Sequence, residues 1–235
     1  MPPEKPTNIG GSMPVSSFAP ILDAALTRHG KAGVEARLPH PKPPAELAAT
    51  GDDRYLSQMS RRIFHAGLKH SMVDAKWPAF EEVFHGFDRR RVRAMSDEAL
   101  EGLLGNARLI RHWGKLKSVR DNAAAMLEVA SEHKSFGAWL AGWPGEDIVR
   151  LWETLAKRFS QMGGNSGPSF LRMVGKDTFI LSPSVVAGLK HWAGMAPPKN
   201  RGDRTAAQAV FNGWAQESGR PLSQLSLILA MSVDG

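Results

Sequence analysis

Met162-Gly163-Gly164-Asn165-Ser166-Gly167 lies between two apolar patterns of helical period, one ending near Phe159 and the next opening at Pro168. Two helices joined by so tight a glycine-rich turn can offer backbone N–H groups at a helix N-terminus to an anion such as a nucleic-acid phosphate. Glycine allows that close approach because it has no Cβ and takes positive φ without penalty. The same residues also suit an ordinary helix–helix connection. Features elsewhere in the chain decide between the two.

Outward from the turn the apolar period is helical almost everywhere. Leu56, Met59, Ile63, Phe64 and Leu68 share a face. Ser96 is an N-cap followed by Asp97 and Glu98, and Leu100, Leu103, Leu104, Ala107 and Ile110 continue the stripe. Leu116, Val119, Ala123, Met126 and Leu127 predict another helix. Ile148, Leu151, Trp152, Leu155 and Phe159 predict the one that enters the turn. After the turn, Pro168 sits at a first helical position, Phe170, Leu171 and Val174 point inward, and Gly175 stops the helix. Ser182-Pro183 opens a helix through Leu189, and Thr205–Trp214 and Leu222–Met231 form a last pair. Thr178–Leu181 reads as extended but is too short to found a sheet. The class is all-α.

The 235 residues carry 30 Lys+Arg against 23 Asp+Glu, a net charge of +7 with a pI near 9.9. Such a balance favours a polyanionic partner. Cysteine is absent, which excludes disulfides, thiolate catalysis and zinc sites built on Cys. No apolar run approaches the ~20 residues of a bilayer span and no signal-peptide core opens the chain, so a cytoplasmic location without membrane contact is expected. Pro2, Pro3, Pro6, Pro14 and Pro20 with Gly10 and Gly11 read as a flexible lead, interrupted by one short helix within Ser17–Thr27. Pro39–Pro44 is a polyproline-like linker. The expected organisation is a flexible Pro-rich segment over 1–51 and a helical domain over 52–235.

Within Arg61–Ala123, Ala66-Gly67-Leu68 is followed by Phe84-His85-Gly86-Phe87-Asp88, Val92 and Ala94-Met95. Ile110-Arg111-His112, Gly114-Lys115 and Asn122-Ala123 come next. In these residues and their gapless spacing the chain resembles the 3-methyladenine DNA glycosylase I family, helix-hairpin-helix enzymes of base-excision repair. The Met162–Gly167 turn falls where that family has its DNA-gripping hairpin. The resemblance covers roughly Asp52–Leu189. It implies a helix-hairpin-helix glycosylase fold that binds double-stranded DNA, turns an alkylated purine out of the stack and hydrolyses its bond to the sugar. No cofactor and no metal are needed for such a hydrolysis.

The chain departs from the family at the chemistry. The family's pocket glutamate stands four residues before the Ala-Gly-Leu alanine, and here that position is Arg62. A guanidinium cannot accept a proton, and it repels a cationic base. The family's tryptophan two residues after the leucine is His70, which stacks with less apolar area. Other helix-hairpin-helix glycosylases carry a catalytic aspartate at the start of the helix after the extended segment. Here Ser182 keeps the cap and loses the carboxylate, while Asp177 lies five residues earlier in a loop. The Cys and His ligands that often pin the family's termini to zinc are missing, and the helices at 205–231 are expected to close the fold.

The resemblance makes Arg62, Phe64, His65 and His70 the candidates for the base pocket, with Arg62 and Ser182 as positions of lost carboxylates and no catalytic residue assigned. Gly163, Gly164, Asn165, Ser166 and Gly167 are expected to hold a DNA phosphate. Arg111, His112 and Lys115 form a polar cluster between two helices that reads either as a phosphate contact or as a solvated turn. Arg89, Arg90, Arg91 and Arg93 suit a solvated face adding salt-sensitive, non-specific affinity. His85 reads as a helix-end residue, the tryptophans as packing, and Lys199–Arg204 as an exposed loop that could touch DNA. The two functions left open are a monofunctional glycosylase of altered pocket and an inactive binder of lesions or distorted DNA. Protein partners are not indicated.

Overall fold

The computed structural model describes residues 17–233, and among these the regular structure is all helix. The prolines and glycines of residues 1–16 lie outside the described residues. The remainder of the expected lead does not behave as one. Phe18, at the N-cap of α1 (Ala19–Glu35), and Ile21 and Ala25 within it repeat at helical spacing and are buried, as is Val34 beyond a kink at Gly30 (φ +69°). The Phe, Ile and Val side chains each contribute about 1.5–3 kcal/mol of apolar burial and Ala25 less. Pro39–Pro43 runs extended to α2 (Pro44–Ala49), whose Leu47 is also buried. Residues 17–51 are therefore part of the packed body, because a stripe too short to read as a domain finds its partner on the last helix of the chain.

After Gly51 come α3 (Asp52–His65) and α4 (His70–Val83), separated by a turn at Ala66–Lys69. Gly67 takes φ +76° in that turn, a value that a side chain would strain. The stripe expected to run on through Leu68 is thus broken before it. Asp88 caps α5 (Arg89–Arg93), accepting from the Arg91 N–H at 2.8 Å, and Ser96 caps α6 (Asp97–Gly102), accepting from the Ala99 N–H at 3.1 Å. Next are α7 (Trp113–His133) and α8 (Phe136–Ala141). Buried Asp52 accepts from the N–H groups of Phe136 and Gly137 and pairs with Arg89, so one carboxylate ties α3, α5 and α8 together.

The hairpin joins α9 (Ile148–Arg158) to α10 (Ser166–Val174). Pro168 is the third residue of α10 rather than the first, since Ser166 and Gly167 already have helical geometry. Gly175 ends α10 in the left-handed conformation, as its position predicts. Thr178–Leu181 pairs with no strand. It passes through the interior with Thr178 and Phe179 buried, and Ser182 then caps α11 (Pro183–Ala193) through the Val185 N–H. The chain closes with α12 (Arg201–Ser218) and α13 (Leu222–Met231).

Two groups of helices result. In one, α7 packs against α3, α5 and α8; in the other, α13 packs against α1, α11 and α12. Between them, α10 lies against α3 and α9 against α12, which puts the hairpin at the junction. Among the described residues no helix is long and apolar enough to cross a membrane.

Candidate nucleic-acid interface and base pocket

The end of α3 carries most of the expected pocket. His65 is buried, and its ring stacks on exposed His70 with centroids 4.1 Å apart and planes 13° from parallel. Helical spacing would not bring residues five apart together; the Gly67 turn does so by returning the chain as α4. Asp74 on α4 accepts from Arg61 Nε at 2.8 Å and lies 2.7 Å from His65 Nε2. Burial lowers the His65 pKa from its usual value despite Asp74, which opposes the shift, while His70 and Arg61 add to it. Asp74 is lowered in turn, first by its bond with His65 and then by Arg61.

Phe64 belongs to the core and not to an open pocket wall. It is fully buried, 4.6 Å from Phe80 and 6.3 Å from Trp77 between ring centroids. Its place on the apolar stripe, rather than its neighbourhood to Arg62, decides this.

Lys115 also departs from expectation. It is buried, and its ammonium donates to the carbonyls of Ala66 at 2.6 Å and Phe64 at 3.4 Å, 5.9 Å from the Phe64 ring centroid. The amine thus caps the C-terminal end of α3, where carbonyls lack helical partners, and is neither a solvated turn residue nor a phosphate contact. Burial lowers its pKa, and the charge of Arg62 adds to the effect. Arg62 itself is half-buried, with Nε enclosed and without a hydrogen-bond partner among the described residues. Burial lowers its pKa as well. Two desolvated cations, Arg62 and Lys115, therefore stand together at the end of α3. Arg111 and His112 remain exposed, and His112 Nδ1 accepts from the Lys115 N–H at 3.3 Å to start α7.

The hairpin is braced on two sides. Buried Asn122 accepts from the Ser160 N–H at 2.7 Å and donates to the Ser160 carbonyl at 3.2 Å. Gln161, at φ +61°, donates to the Gly114 carbonyl at 2.7 Å. On the far side, Asn165 Nδ2 donates to the Leu181 carbonyl at 3.0 Å, next to Ser182. Gly163, Gly164 and Asn165 are exposed, Ser166 is half-buried and Gly167 is buried. A Cβ at Gly167 would lie 3.1 Å from the Met162 carbonyl oxygen, so a larger residue would push the turn open by a few tenths of an ångström. The exposed backbone precedes the first turn of α10, whose N–H groups have no helical acceptors and carry the positive end of the dipole.

Ser182 and Asp177 are both occupied structurally. Ser182 caps α11, and the Asp177 carboxylate accepts from the Leu222 and Ser223 N–H groups at 2.8 and 2.9 Å. Of the arginine run, Arg89 is spent on Asp52, while Arg90, Arg91 and Arg93 are exposed. His85 stands in a left-handed turn at φ +56°, ahead of Gly86 and Phe87. The 199–204 segment is a helix start, with Asn200 and Asp203 forming a capping box and Arg201 and Arg204 reaching Glu153. Asn122 was visible in the sequence only as half of a two-residue motif, and Glu153 gave no signal at all.

A family model described as methyladenine glycosylase matches residues 47–163. The chain is 37% identical over 71 residues to DNA-3-methyladenine glycosylase 1 of Escherichia coli (strain K12), which covers 30% of this chain and 38% of that protein. It is 31% identical over 75 residues to DNA-3-methyladenine glycosylase of Haemophilus influenzae, covering 32% and 40%. The aligned segments thus span about two fifths of these relatives' length. A mutant of 3-methyladenine DNA glycosylase I from Staphylococcus aureus superposes with a TM-score of 0.50 at 20% identity, over 62% of this chain and 85% of that one. A variant of 3-methyladenine DNA glycosylase I in complex with 3-methyladenine gives 0.50 at 19%, with the same coverage.

Proposed function

The chain belongs to the 3-methyladenine DNA glycosylase I family, and from that premise we propose that it is a cytoplasmic, monofunctional DNA glycosylase of base-excision repair with an altered pocket. It binds double-stranded DNA, receives an extrahelical alkylated purine near the end of α3, and releases it by hydrolysis. The observation that carries the reading is the braced hairpin. Its exposed Gly163–Asn165 backbone leads into α10 at the junction of the two helix groups, and Asn122, Gln161 and Asn165 hold it there. That is the geometry a phosphate needs.

In the reaction the bond from C1′ to the base nitrogen breaks with its electron pair leaving on the base. Water oxygen forms the new bond to C1′, and its proton passes to solvent or to the departing base. A lesion that weakens the glycosidic bond reduces what the protein must supply. Arg62 can donate hydrogen bonds to ring nitrogens or carbonyls of the base but cannot withdraw a proton from water. With Lys115 beside it, the site disfavours a base that arrives with positive charge.

That same cation pair supports a second reading, an inactive binder of lesions or distorted DNA. Single-turnover incubation with methylated duplex, protein in excess and products identified by mass, separates the two. Release above the spontaneous rate, lost when the Gly163–Gly167 hairpin is altered, is the expected outcome. Salt-sensitive binding without release would make the protein a binder. Arg62→Glu is expected to raise release of cationic bases; if it changes nothing in either direction, Arg62 does not line the pocket.

A further inference from the structure

Where Asn165 meets Leu181, an open cleft of about 310 Å³ lies between α9, the hairpin and the approach to α12. Its size falls at the lower end of small-molecule sites, about 300–1,000 Å³. Gly164 and Asn165 of the hairpin form one edge, and Leu181, Val186 and Pro198 supply apolar faces. The charged groups are Glu153 and Arg204. Glu153 Oε2 is 3.2 Å from Arg201 Nε, while Oε1 is 3.9 Å from Arg204 Nη2, too far for a hydrogen bond. Arg201 pairs with one oxygen of the carboxylate at the rim, and the other oxygen, Oε1, has no donor within hydrogen-bond distance at Arg204. The walls come from α9, α11 and the start of α12, apart from the end of α3 that holds Arg62.

A carboxylate between apolar walls selects a flat ring whose edge carries adjacent N–H donors. Guanine offers N1–H and the 2-amino group side by side, a match for both oxygens of one carboxylate. Adenine and hypoxanthine lack that pair. The cleft also adjoins the hairpin backbone, so a phosphate seated there would have its own or a neighbouring base within reach of the walls, with Arg204 on the rim for the backbone charge. We propose that this cleft is a subsite for an extrahelical guanine-type base of the strand held at the hairpin, read by Glu153. The proposal rests on the hairpin holding a DNA phosphate.

Calorimetric titration of the full chain with guanosine monophosphate, inosine monophosphate and adenosine monophosphate tests it. Guanosine monophosphate is expected to bind, with the inosine form about tenfold weaker for want of the 2-amino donor. Glu153→Gln should abolish that discrimination, and Val186→Phe, which fills the cleft, should abolish binding; thermal melting checks that both variants fold. No binding up to roughly 1 mM, or a guanosine-to-inosine ratio unchanged in Glu153→Gln, overturns the proposal. Duplex DNA binding by a chain that ignores the mononucleotides sinks the subsite alone. Selective mononucleotide binding without duplex binding would sink the hairpin reading and leave the cleft as a nucleotide site.

Discussion

Asn122 commits both ends of its amide to the backbone of Ser160. Replacing it by Ala leaves the half-buried Ser160 N–H and carbonyl without this partner, a loss of about 1–2 kcal/mol. Urea unfolding of Asn122→Ala should show that loss, and duplex affinity should fall by more than the stability change explains, because the hairpin entrance is released. His65 supplies a pH signature. Its folded pKa is below the unfolded value of 6.5, so the unfolded chain binds more protons as the solution is acidified. The stabilising contribution is complete above about pH 6.5 and is lost as pH falls toward the folded value. Asp74, also lowered, loses its own contribution only below the ordinary carboxylate range, about pH 4. Melting temperature should therefore decline between pH 7.5 and 5, and His65→Gln should flatten that slope; an unchanged slope would show that His65 is not its origin. Lys115 shows why residue identity misleads here. In the sequence it neighbours Arg111 and His112 in a basic cluster, but helical phase turns its stem inward under Ala66, where no linear pattern could place it.

At the scale of elements, Asp52 is the strongest single tie. Its carboxylate starts α8 and neutralises Arg89, and both partners lose a buried acceptor in Asp52→Ala. A destabilisation of about 1–3 kcal/mol is expected from the two buried N–H groups left unsatisfied, measurable by denaturant midpoint. Arg111, exposed at the approach to α7, is the cheaper probe of DNA contact. If it meets a phosphate, Arg111→Ala should reduce the slope of log affinity against log salt by about 1 without changing base preference. Two helix starts were legible because local side chains fix them: Ser96 and Ser182 cap where the sequence says they should. The all-α class followed from periodicity for the same reason. The stacking of His65 on His70 was not legible, since it depends on how one turn reverses the chain. Phe64 was misassigned because adjacency to Arg62 says nothing about which side of α3 faces the aromatic cluster.

At the scale of the whole molecule, the start of α1 is tied directly to α12. Glu217 on α12 accepts from the Phe18 N–H and from Ser17 Oγ, and the Phe18 ring lies 5.8 Å from Trp214. The boundary expected at residue 52 does not hold at this scale, because α1 packs its apolar face against α13. A chain begun at Asp52 should expose that face of α13 and lose cooperative unfolding, which a broad, low-amplitude calorimetric transition would reveal; a sharp transition at the full-length temperature would contradict it.

The contact between α1 and the last helices has a kinetic consequence. Ser17 and Glu217 are 200 positions apart in the chain. At roughly 5–20 residues per second, a ribosome takes on the order of 10–40 s to make the intervening segment. Throughout that interval Phe18, Ile21, Ala25 and Val34 have been synthesised and their covering helices have not. The first helix is therefore the last to dock, after closure of a loop nearly as long as the protein. Refolding from denaturant escapes that delay, so the nascent chain faces a longer exposure to chaperones and aggregation than the purified protein ever shows in a test tube.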